Sequence, residues 1–251
     1  MYEQFSHDYD RFVNWQARLA AELPFLQRQL EALRAKRVVD AACGTGRHAI
    51  ALAQLGYEVV GADPSAGMIE RARHNAQQEG VAVRFEVAGF GELQAALGSG
   101  FDALLCLGNS LPHANSPAAL QAALADLNHC LRHGGLLLVQ NRNFDAVLQR
   151  RERWMEPQSH RQEGSEWLFL RFYDFLSDGA LRFNLMTLHR QDDEPWQQRV
   201  LSARLWPWRQ QELLEALPKT GFEDAICYGD NLGAPFDPHN SPNLIVTARR
   251  S

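Results

Sequence analysis

The sequence predicts an α/β fold: a doubly wound, mainly parallel sheet of seven strands with an antiparallel β insertion and N-terminal helices. From residue 37 onward, short apolar runs alternate with helical patterns, as is typical of a parallel sheet covered on both faces. A turn containing Gly44 and Gly46 joins the first strand to the next helix. After residue 145 the chain becomes rich in aromatic and branched residues, which predicts the insertion.

The N-terminal region is predicted to be helical over residues 8–34. Apolar side chains recur there at spacings of three and four, from Phe12 to Leu30. Proline lacks an amide hydrogen and clashes with the preceding turn of a helix. Pro24 is therefore expected to divide this region into two helices.

The elements of the predicted sheet follow in order. Strands are expected near 37–41, 57–62, 81–87, 101–106 and 135–140, with helices near 47–55, 65–79 and 117–132. The predicted insertion has strands within 166–173, 180–190 and 197–206, and Asp178-Gly179 is typical of a hairpin turn. A helix over 209–220 and strands at 222–228 and 243–248 are expected to close the fold.

Bulk properties exclude several classes of function. The 251 residues suit one large α/β domain, and the formal charge of −5 argues against a broad nucleic-acid surface. No apolar stretch approaches the ~20 residues that span a bilayer, and the N-terminus lacks a signal-peptide pattern, so no membrane partner and a cytoplasmic location are expected. No residue cluster has the spacing of a metal site, and the oligomeric state is not indicated.

The glycine turn and a later carboxylate together predict a cofactor that carries a ribose. Glycines at 44 and 46 allow the backbone to approach a ligand closely, because no Cβ intervenes. Asp63 ends the second predicted strand, where its carboxylate can accept both hydroxyls of a ribose; capping the helix that begins at Pro64 is the structural alternative. Parallel strands place their carboxyl ends at one edge, so these groups should meet.

The identity of that cofactor depends on Asp40. Gly44-x-Gly46-x-x-Ala49 also fits the loose Rossmann-like dinucleotide pattern, in which a pyrophosphate binds at a helix N-terminus. A carboxylate at Asp40 would repel a pyrophosphate but would attract a sulfonium ligand with an ammonium group. This favours S-adenosylmethionine, with Asp40 either binding the ammonium group through water or only ordering the turn.

Three segments carry a resemblance to a known family. Asp40-Ala41-Ala42-Cys43-Gly44-Thr45-Gly46 resembles motif I of class I S-adenosylmethionine-dependent methyltransferases. The segments from Phe101 to Ser110 and from Asn141 to Asp145 are similar to those of the glycine N-methyltransferase group of small-molecule methyltransferases. The resemblance implies a Rossmann-like methyltransferase core, and its strongest part runs from about Tyr9 to Asp145.

The resemblance also assigns cofactor contacts. The residues expected to bind the cofactor are Tyr9, Trp15, Arg18, Asp40, Ala41, Gly44, Gly46, Asp63, Pro64, Met68, Gly89, Phe90, Leu107 and Gly108. Within this set, Arg18 would pair with the methionine carboxylate and Tyr9 would face the methyl group. Leu107 and Gly108 would lie beside the methionine part of the cofactor. Gly89 and Phe90 would contact its adenine.

The acceptor is expected to be a small molecule, most simply an amine or an amino acid nitrogen. An uncharged amine needs no strong base, whereas an alcohol acceptor needs its proton removed or a metal to activate it. By the resemblance, Asn109 reaches the acceptor, and Arg142 binds its carboxylate; pairing of Arg142 with an acid is the alternative. His113 is either a catalytic or substrate-binding group or a partner of its own loop.

The predicted organisation has three parts. Residues 1–36 would form a helical lid, residues 37–143 and 208–251 the methyltransferase core, and residues 144–207 the insertion that lines the acceptor side. The predicted catalytic residues are Tyr9, Asn109 and His113, and the predicted substrate-binding residues are Asn109, His113 and Arg142. Three other functions remain open: an O-methyltransferase, an NAD-dependent oxidoreductase, and a non-catalytic adenosyl-binding protein.

Overall fold

The computed structural model describes residues 1–251 and contains two sheets and eight α-helices. The helices are α1 (Tyr2–Phe12), α2 (Trp15–Leu33), α3 (Arg47–Gln54), α4 (Ala66–Gln78), α5 (Leu93–Leu97), α6 (Pro117–Cys130), α7 (Phe144–Arg150) and α8 (Gln210–Ala216). None of them combines the length and the hydrophobicity that crossing a lipid bilayer requires.

The larger sheet has seven strands in the order β10-β11-β5-β4-β1-β2-β3. Its strands are β1 (Arg37–Ala41), β2 (Glu58–Asp63), β3 (Arg84–Val87), β4 (Phe101–Cys106), β5 (Leu131–Arg142), β10 (Phe222–Tyr228) and β11 (Asn243–Arg250). Only β11 runs against its neighbours, so the prediction of a mainly parallel seven-stranded sheet is confirmed.

The smaller sheet is the predicted insertion and is entirely antiparallel. Its strands are β6 (Gln158–Gln162), β7 (Ser165–Phe175), β8 (Leu181–Gln191) and β9 (Gln197–Leu205), paired in chain order. Strand β6 was not predicted, because all five of its residues are polar. Nor were α5 and α7, which have only five and seven residues.

Side chains along the central strands alternate between the two faces of the large sheet, and each face carries its own hydrophobic core. Val39 and Leu104 pack with α5, α6 and α8, while Val38 and Leu105 pack with α2, α3 and α4. Because successive side chains of a strand point to opposite faces, each buried strand serves both layers. The carboxyl ends of these strands are left at one edge, where the loops can form a site.

The predicted break at Pro24 is wrong. Pro24 lies inside α2, and the two N-terminal helices are divided at Val13 and Asn14. The side chain of Asn14 accepts a hydrogen bond from the amide of Ala17, 3.1 Å away, and so caps α2. Phe25 and Leu26 follow the proline and are buried, so packing against the sheet keeps the helix continuous through it.

Candidate active site

The glycine turn between β1 and α3 has the backbone that its sequence predicts. Gly44 and Gly46 have φ of +55° and +77°, in the left-handed region that favours glycine. A Cβ on Gly46 would lie 2.7 Å from the Phe85 ring and 2.9 Å from the Cβ of Ala72. Gly46 therefore permits close packing of the turn on its neighbours, and Gly44 faces the ring of Tyr9.

A first cavity of about 790 Å³ opens at this turn. Its floor is formed by the strand ends and their loops, with Ala42, Gly44, Asp63, Pro64, Ala88 and Gly89. Phe90, Leu93 and Met68 form an apolar wall, Gly108, Ser110 and His113 form the wall after β4, and Tyr2 and Tyr9 of α1 cover it. The cavity is thus apolar at one end and bounded by backbone and polar groups at the other.

Asp63 is the acidic residue that lines the first cavity, and its carboxylate is held in place by two backbone amides. Gly44 donates to Oδ2 at 3.0 Å and Ser65 donates to Oδ1 at 2.9 Å. A carboxylate has about four acceptor positions, so about two remain for a ligand. Burial raises the pKa of Asp63, although both amides lower it. Ser65, rather than Asp63, caps α4.

A buried polar cluster lies behind the cavity wall at Gly108. Glu22 accepts hydrogen bonds from Arg18 at 3.1 Å and from Gln140 at 3.0 Å, and it lies 2.6 Å from Nε2 of His48. Burial raises the pKa of Glu22, but the His48 contact and the Arg18 charge outweigh it and lower the pKa to about 2. Glu22 thereby fixes Arg18, whose guanidinium lies 3.1 Å from where a Cβ on Gly108 would be.

Asp40 lies beneath the same turn with one oxygen unused. The residue is 2% exposed, and its Oδ2 is buried without a hydrogen-bond partner. Burial raises the pKa of Asp40 to about 6, although His48 and Arg18 oppose the shift. A buried carboxylate without a full set of partners is costly. Asp40 is therefore a position at which a cationic ligand would be favourable.

Helix α1 covers the first cavity and is anchored at both of its ends. The hydroxyl of Tyr2 is 2.9 Å from Nε2 of His113, and Glu3 accepts a hydrogen bond from the amide of Gly67 at 3.0 Å. At the other end, Asp10 accepts from Thr45 at 2.6 Å and from Arg47 at 3.0 Å. The helix therefore spans the cavity from the loop after β4 to the start of α3.

His113 is a neutral side chain at physiological pH. Burial lowers its pKa to about 4, and burial also raises the pKa of its partner Tyr2. Such a histidine is a weak base at pH 7, because its conjugate acid gives up the proton readily. The contact with Tyr2 is a neutral hydrogen bond that joins α1 to the loop after β4.

A second cavity of about 640 Å³ lies between α1, the end of β5 and the smaller sheet. It shares Tyr2, Tyr9 and Gly108 with the first cavity. Its polar lining comes from Asn109, Arg142, Arg171 and Tyr173, and its apolar lining comes from Met1, Phe5, Phe12, Met155, Phe183, Leu185 and Leu205. Its lining contains two guanidinium groups and no carboxylate.

The two polar residues at the strand ends of this cavity support each other. Asn109 has φ of +67°, and its Oδ1 accepts a hydrogen bond from the amide of Arg142 at 3.0 Å. Arg142 donates to Glu152 at 3.0 Å, and its guanidinium carbon lies 5.6 Å from the ring centre of Tyr173. This arrangement orients Arg142, and Asn109 Nδ2 donates to no protein group.

Comparison with known proteins agrees with the architecture. Residues 38–135 match the model of a family described as a methyltransferase domain. A solved S-adenosylmethionine-dependent methyltransferase from Clostridium acetobutylicum superposes with a TM-score of 0.77 at 14% identity, covering 99% of this chain and 98% of the other, which shows the fold.

Curated relatives extend the match beyond that domain. A glycine/sarcosine N-methyltransferase from Aphanothece halophytica is 31% identical over 237 residues, which cover 91% of this chain and 82% of the relative. Another, from Parasynechococcus marenigrum, is 38% identical over 59% of this chain and 52% of its own length. The chain belongs to the glycine N-methyltransferase group of class I S-adenosylmethionine-dependent methyltransferases. The protein is therefore an enzyme that uses S-adenosylmethionine, and the oxidoreductase and non-catalytic alternatives are excluded.

The residues of this methyltransferase fit S-adenosylmethionine. Asp63 retains acceptor positions toward the first cavity, and Asp40 has a buried oxygen without a partner. Gly44, with positive φ, brings backbone to the cavity wall without a Cβ, and Phe90 supplies an aromatic face. A ribose, a cationic centre and an adenine could each be held by this set.

The methyltransferase site gathers many of the predicted residues. Those that line the first cavity are Tyr9, Gly44, Asp63, Pro64, Met68, Gly89, Phe90, Gly108 and His113, while Asn109 and Arg142 line the second. The other predicted residues line neither cavity: Trp15, Arg18, Asp40, Ala41, Gly46 and Leu107. Among these, Trp15 meets the His48 ring edge to face and donates to Asp10, and Leu107 packs in the core.

Several lining residues of the methyltransferase were not predicted. Tyr2 lies outside the predicted helix 8–34, since α1 begins there instead. Arg171 and Tyr173 belong to the smaller sheet, for which no individual site residue was predicted. Alternation within β7 was the available signal, because residues 169, 171 and 173 share one face and Phe169 and Tyr173 are buried.

Proposed function

We propose that this enzyme methylates the amino nitrogen of a small acceptor that carries a carboxylate, that is, an amino acid. The observation that carries the proposal is the Arg142 guanidinium in the second cavity, which meets the first cavity at Tyr2, Tyr9 and Gly108. A molecule in the second cavity thus adjoins the cofactor site. The relatives named above as glycine/sarcosine N-methyltransferases support an acceptor of this class.

Recognition of the carboxylate is assigned to Arg142. A guanidinium is always charged and presents a planar fork that matches two carboxylate oxygens. Glu152 uses one of its terminal nitrogens, and the amide of Arg142 is held by Asn109. The remaining donors of Arg142 are available to an acceptor. Its carboxylate would hold the amino group at a fixed distance and direction, which is the main catalytic requirement of an in-line displacement.

The absence of a base in the second cavity favours nitrogen over oxygen as the acceptor atom. Its lining contains no carboxylate and no histidine, and His113 lines only the first cavity. S-adenosylmethionine supplies an electrophilic methyl group on a positively charged sulfur. A neutral amine would accept this methyl group through its own lone pair as the bond from the methyl carbon to sulfur breaks, and the extra proton on nitrogen would then leave to water. An alcohol would need a base at the moment of attack.

The other predicted catalytic residues are proposed to position the reactants. Tyr9 lines both cavities, so its ring lies at their junction. Asn109 can donate its Nδ2 hydrogens to the acceptor, because its Oδ1 already accepts from Arg142. His113 is proposed to hold Tyr2 in place rather than to take a proton, in line with its pKa of about 4.

Each of the three predicted parts of the chain is proposed to have a separate role. Residues 1–36 would act as the lid, because α1 covers the first cavity. Residues 37–143 and 208–251 would bind the cofactor, and residues 144–207 would complete the acceptor cavity. Phe144 stands where the family segment has Tyr. It is fully buried and lines neither cavity.

A matched pair of acceptors tests this proposal. Glycine and glycinamide share an amino group, but only glycine has a carboxylate. Purified enzyme is incubated with S-adenosylmethionine and each acceptor, and the products are identified by mass spectrometry. We expect N-methyl products, with kcat/KM at least about tenfold higher for glycine, since one charge-assisted contact contributes roughly 1.5–3 kcal/mol. Equal rates for both, or methylation of oxygen in a serine or phenol control, would refute the proposal.

A further inference from the structure

The second cavity, which is the proposed acceptor site, is lined by a second guanidinium beside that of Arg142. This group belongs to Arg171. Arg171 belongs to β7, on the face that also carries Phe169 and Tyr173. Arg142 ends β5 in the other sheet. The two cationic residues therefore come from different layers of the fold and converge on one cavity.

Arg171 has little compensation for its charge within the protein. Its Nε is buried without a hydrogen-bond partner, and its one hydrogen bond runs to the carbonyl of Glu156 at 3.4 Å. Its guanidinium carbon lies 4.9 Å from the ring centre of Phe12. No carboxylate lies within 4.0 Å, whereas Arg142 has Glu152 at 3.0 Å. A cation–π contact of this kind contributes about 0.5–2 kcal/mol, less than desolvating an ion costs.

The electrostatics of the second cavity also favour the binding of an anion there. Burial lowers the pKa of Arg171, and the nearby charge of Arg142 lowers it further. Two like charges that face a cavity without a carboxylate repel each other. An anion in the cavity would relieve this repulsion. Arg142 already has Glu152 as a carboxylate partner, whereas Arg171 has none. A single acceptor carboxylate bound at Arg142 would therefore leave Arg171 without an anionic partner.

We propose that Arg171 binds a second acidic group of the acceptor, so that the preferred substrates are amino acids with two carboxylates, of the aspartate or glutamate class. This proposal rests on the proposed function, since it extends the acceptor site assigned to Arg142. In it, Arg142 binds one carboxylate at the strand ends and Arg171 binds the other on the side of the insertion. Arg171 is then a specificity-determining residue of the second cavity.

Acid and amide pairs of equal size test the inference. Aspartate and asparagine differ by one charge, as do glutamate and glutamine, and all four carry the same amino and α-carboxyl groups. We expect wild-type enzyme to methylate the acid of at least one pair with a kcat/KM at least about tenfold above its amide. The Arg171→Gln variant should lose that preference, with a fall of tenfold or more for the acid and less than threefold for the amide. Arg171→Lys should retain part of it.

The possible outcomes separate the two proposals. Equal methylation of acid and amide by wild-type enzyme would overturn the second carboxylate and leave the amino acid acceptor in place. A parallel fall for acid and amide in Arg171→Gln would overturn it too, since one shared carboxylate would then explain both arginines. Methylation of none of these amino acids, nor of glycine, would overturn both proposals. Calorimetric titration with S-adenosylhomocysteine should give unchanged affinity in both Arg171 variants, and a loss there would indicate a structural role.

Discussion

The hydroxyl of Tyr2 lies 2.9 Å from Nε2 of His113, and both residues line the first cavity. The two residues are separated by 111 positions, and their rings meet edge to face at 5.3 Å. The contact ties the first turn of α1 to the loop after β4. Covering of the cofactor cavity by α1 thus depends on a specific side-chain pair as well as on packing.

Removing this hydroxyl should loosen the cover. A neutral buried hydrogen bond contributes about 0.5–1.5 kcal/mol net, so Tyr2→Phe should speed dissociation of S-adenosylhomocysteine about two- to tenfold. Stopped-flow displacement measures this rate. Tyr57→Phe is the matched control, since Tyr57 lines neither cavity. An unchanged rate in Tyr2→Phe would show that the contact does not restrain the cover.

Asp63 is predicted to carry much of the affinity for the cofactor. Asp63→Ala removes a charged acceptor that two amides hold in place, so binding of S-adenosylmethionine should weaken about tenfold or more. Calorimetric titration checks this. Glu58→Gln, at the exposed start of the same strand, should bind as wild type does. Unchanged affinity in Asp63→Ala would remove the assignment of Asp63 to the ribose.

Asp40 is predicted to make stability depend on pH. Its pKa is about 6 in the folded protein and about 3.8 when unfolded, so the folded state binds the proton more tightly. The resulting stabilisation is complete below about pH 3.8, is lost as pH rises through 6, and amounts to roughly 3 kcal/mol.

Asp40→Asn should abolish this dependence. The free energy of unfolding of Asp40→Asn minus that of wild type should be larger at pH 7.5 than at pH 4 by roughly 2.5 kcal/mol, because wild type loses its stabilisation over this range. Urea unfolding of ligand-free protein at the two pH values measures it. A difference between the two proteins that does not change with pH would show that Asp40 titrates normally.

Glu22 should make the free energy of unfolding depend on pH in the opposite direction from Asp40. Its pKa is about 2 in the folded protein against 4.5 in the reference state, so its contribution is present above about pH 4.5 and is lost as pH falls toward 2. Glu22→Gln leaves Arg18 and His48 without their buried partner and should cost about 3–5 kcal/mol at pH 7. Thermal unfolding measures this, with the exposed Glu31→Gln on the same helix as the control. Equal stability of the two variants would contradict it.

The sequence predicted the large sheet well because its signals are local. Apolar strands, a glycine turn and a carboxylate such as Asp63 follow one another within 26 residues of Arg37, and the parallel topology then brings their ends together. The N-terminus was less predictable. Pro24 signals a break by its own chemistry, but packing of α2 against the sheet outweighs that preference, and Asn14 caps the helix instead.

The acceptor cavity was predictable only in part. Arg142 could be found because it lies in a segment that resembles the family, directly at the end of β5. Arg171 could not be identified as a lining residue from the sequence, because its place in the cavity depends on how the smaller sheet packs against α1. That packing is set by contacts distant in sequence, such as Phe5 with Phe169, whose ring centres are 6.1 Å apart. Alternation in β7 places Arg171 on the same face as the buried Phe169 and Tyr173, but it does not show which cavity that face lines.

The most direct test of the account is the kinetics of Arg142→Gln with an amino acid acceptor. We predict that the KM for the acceptor rises at least about tenfold while the affinity for S-adenosylmethionine stays within twofold, since Arg142 lines only the second cavity. Arg182→Gln, an exposed arginine of β8, should behave as wild type. If Arg142→Gln showed wild-type constants for both substrates, Arg142 would not bind the acceptor carboxylate, and the proposed acceptor class would lose its structural basis.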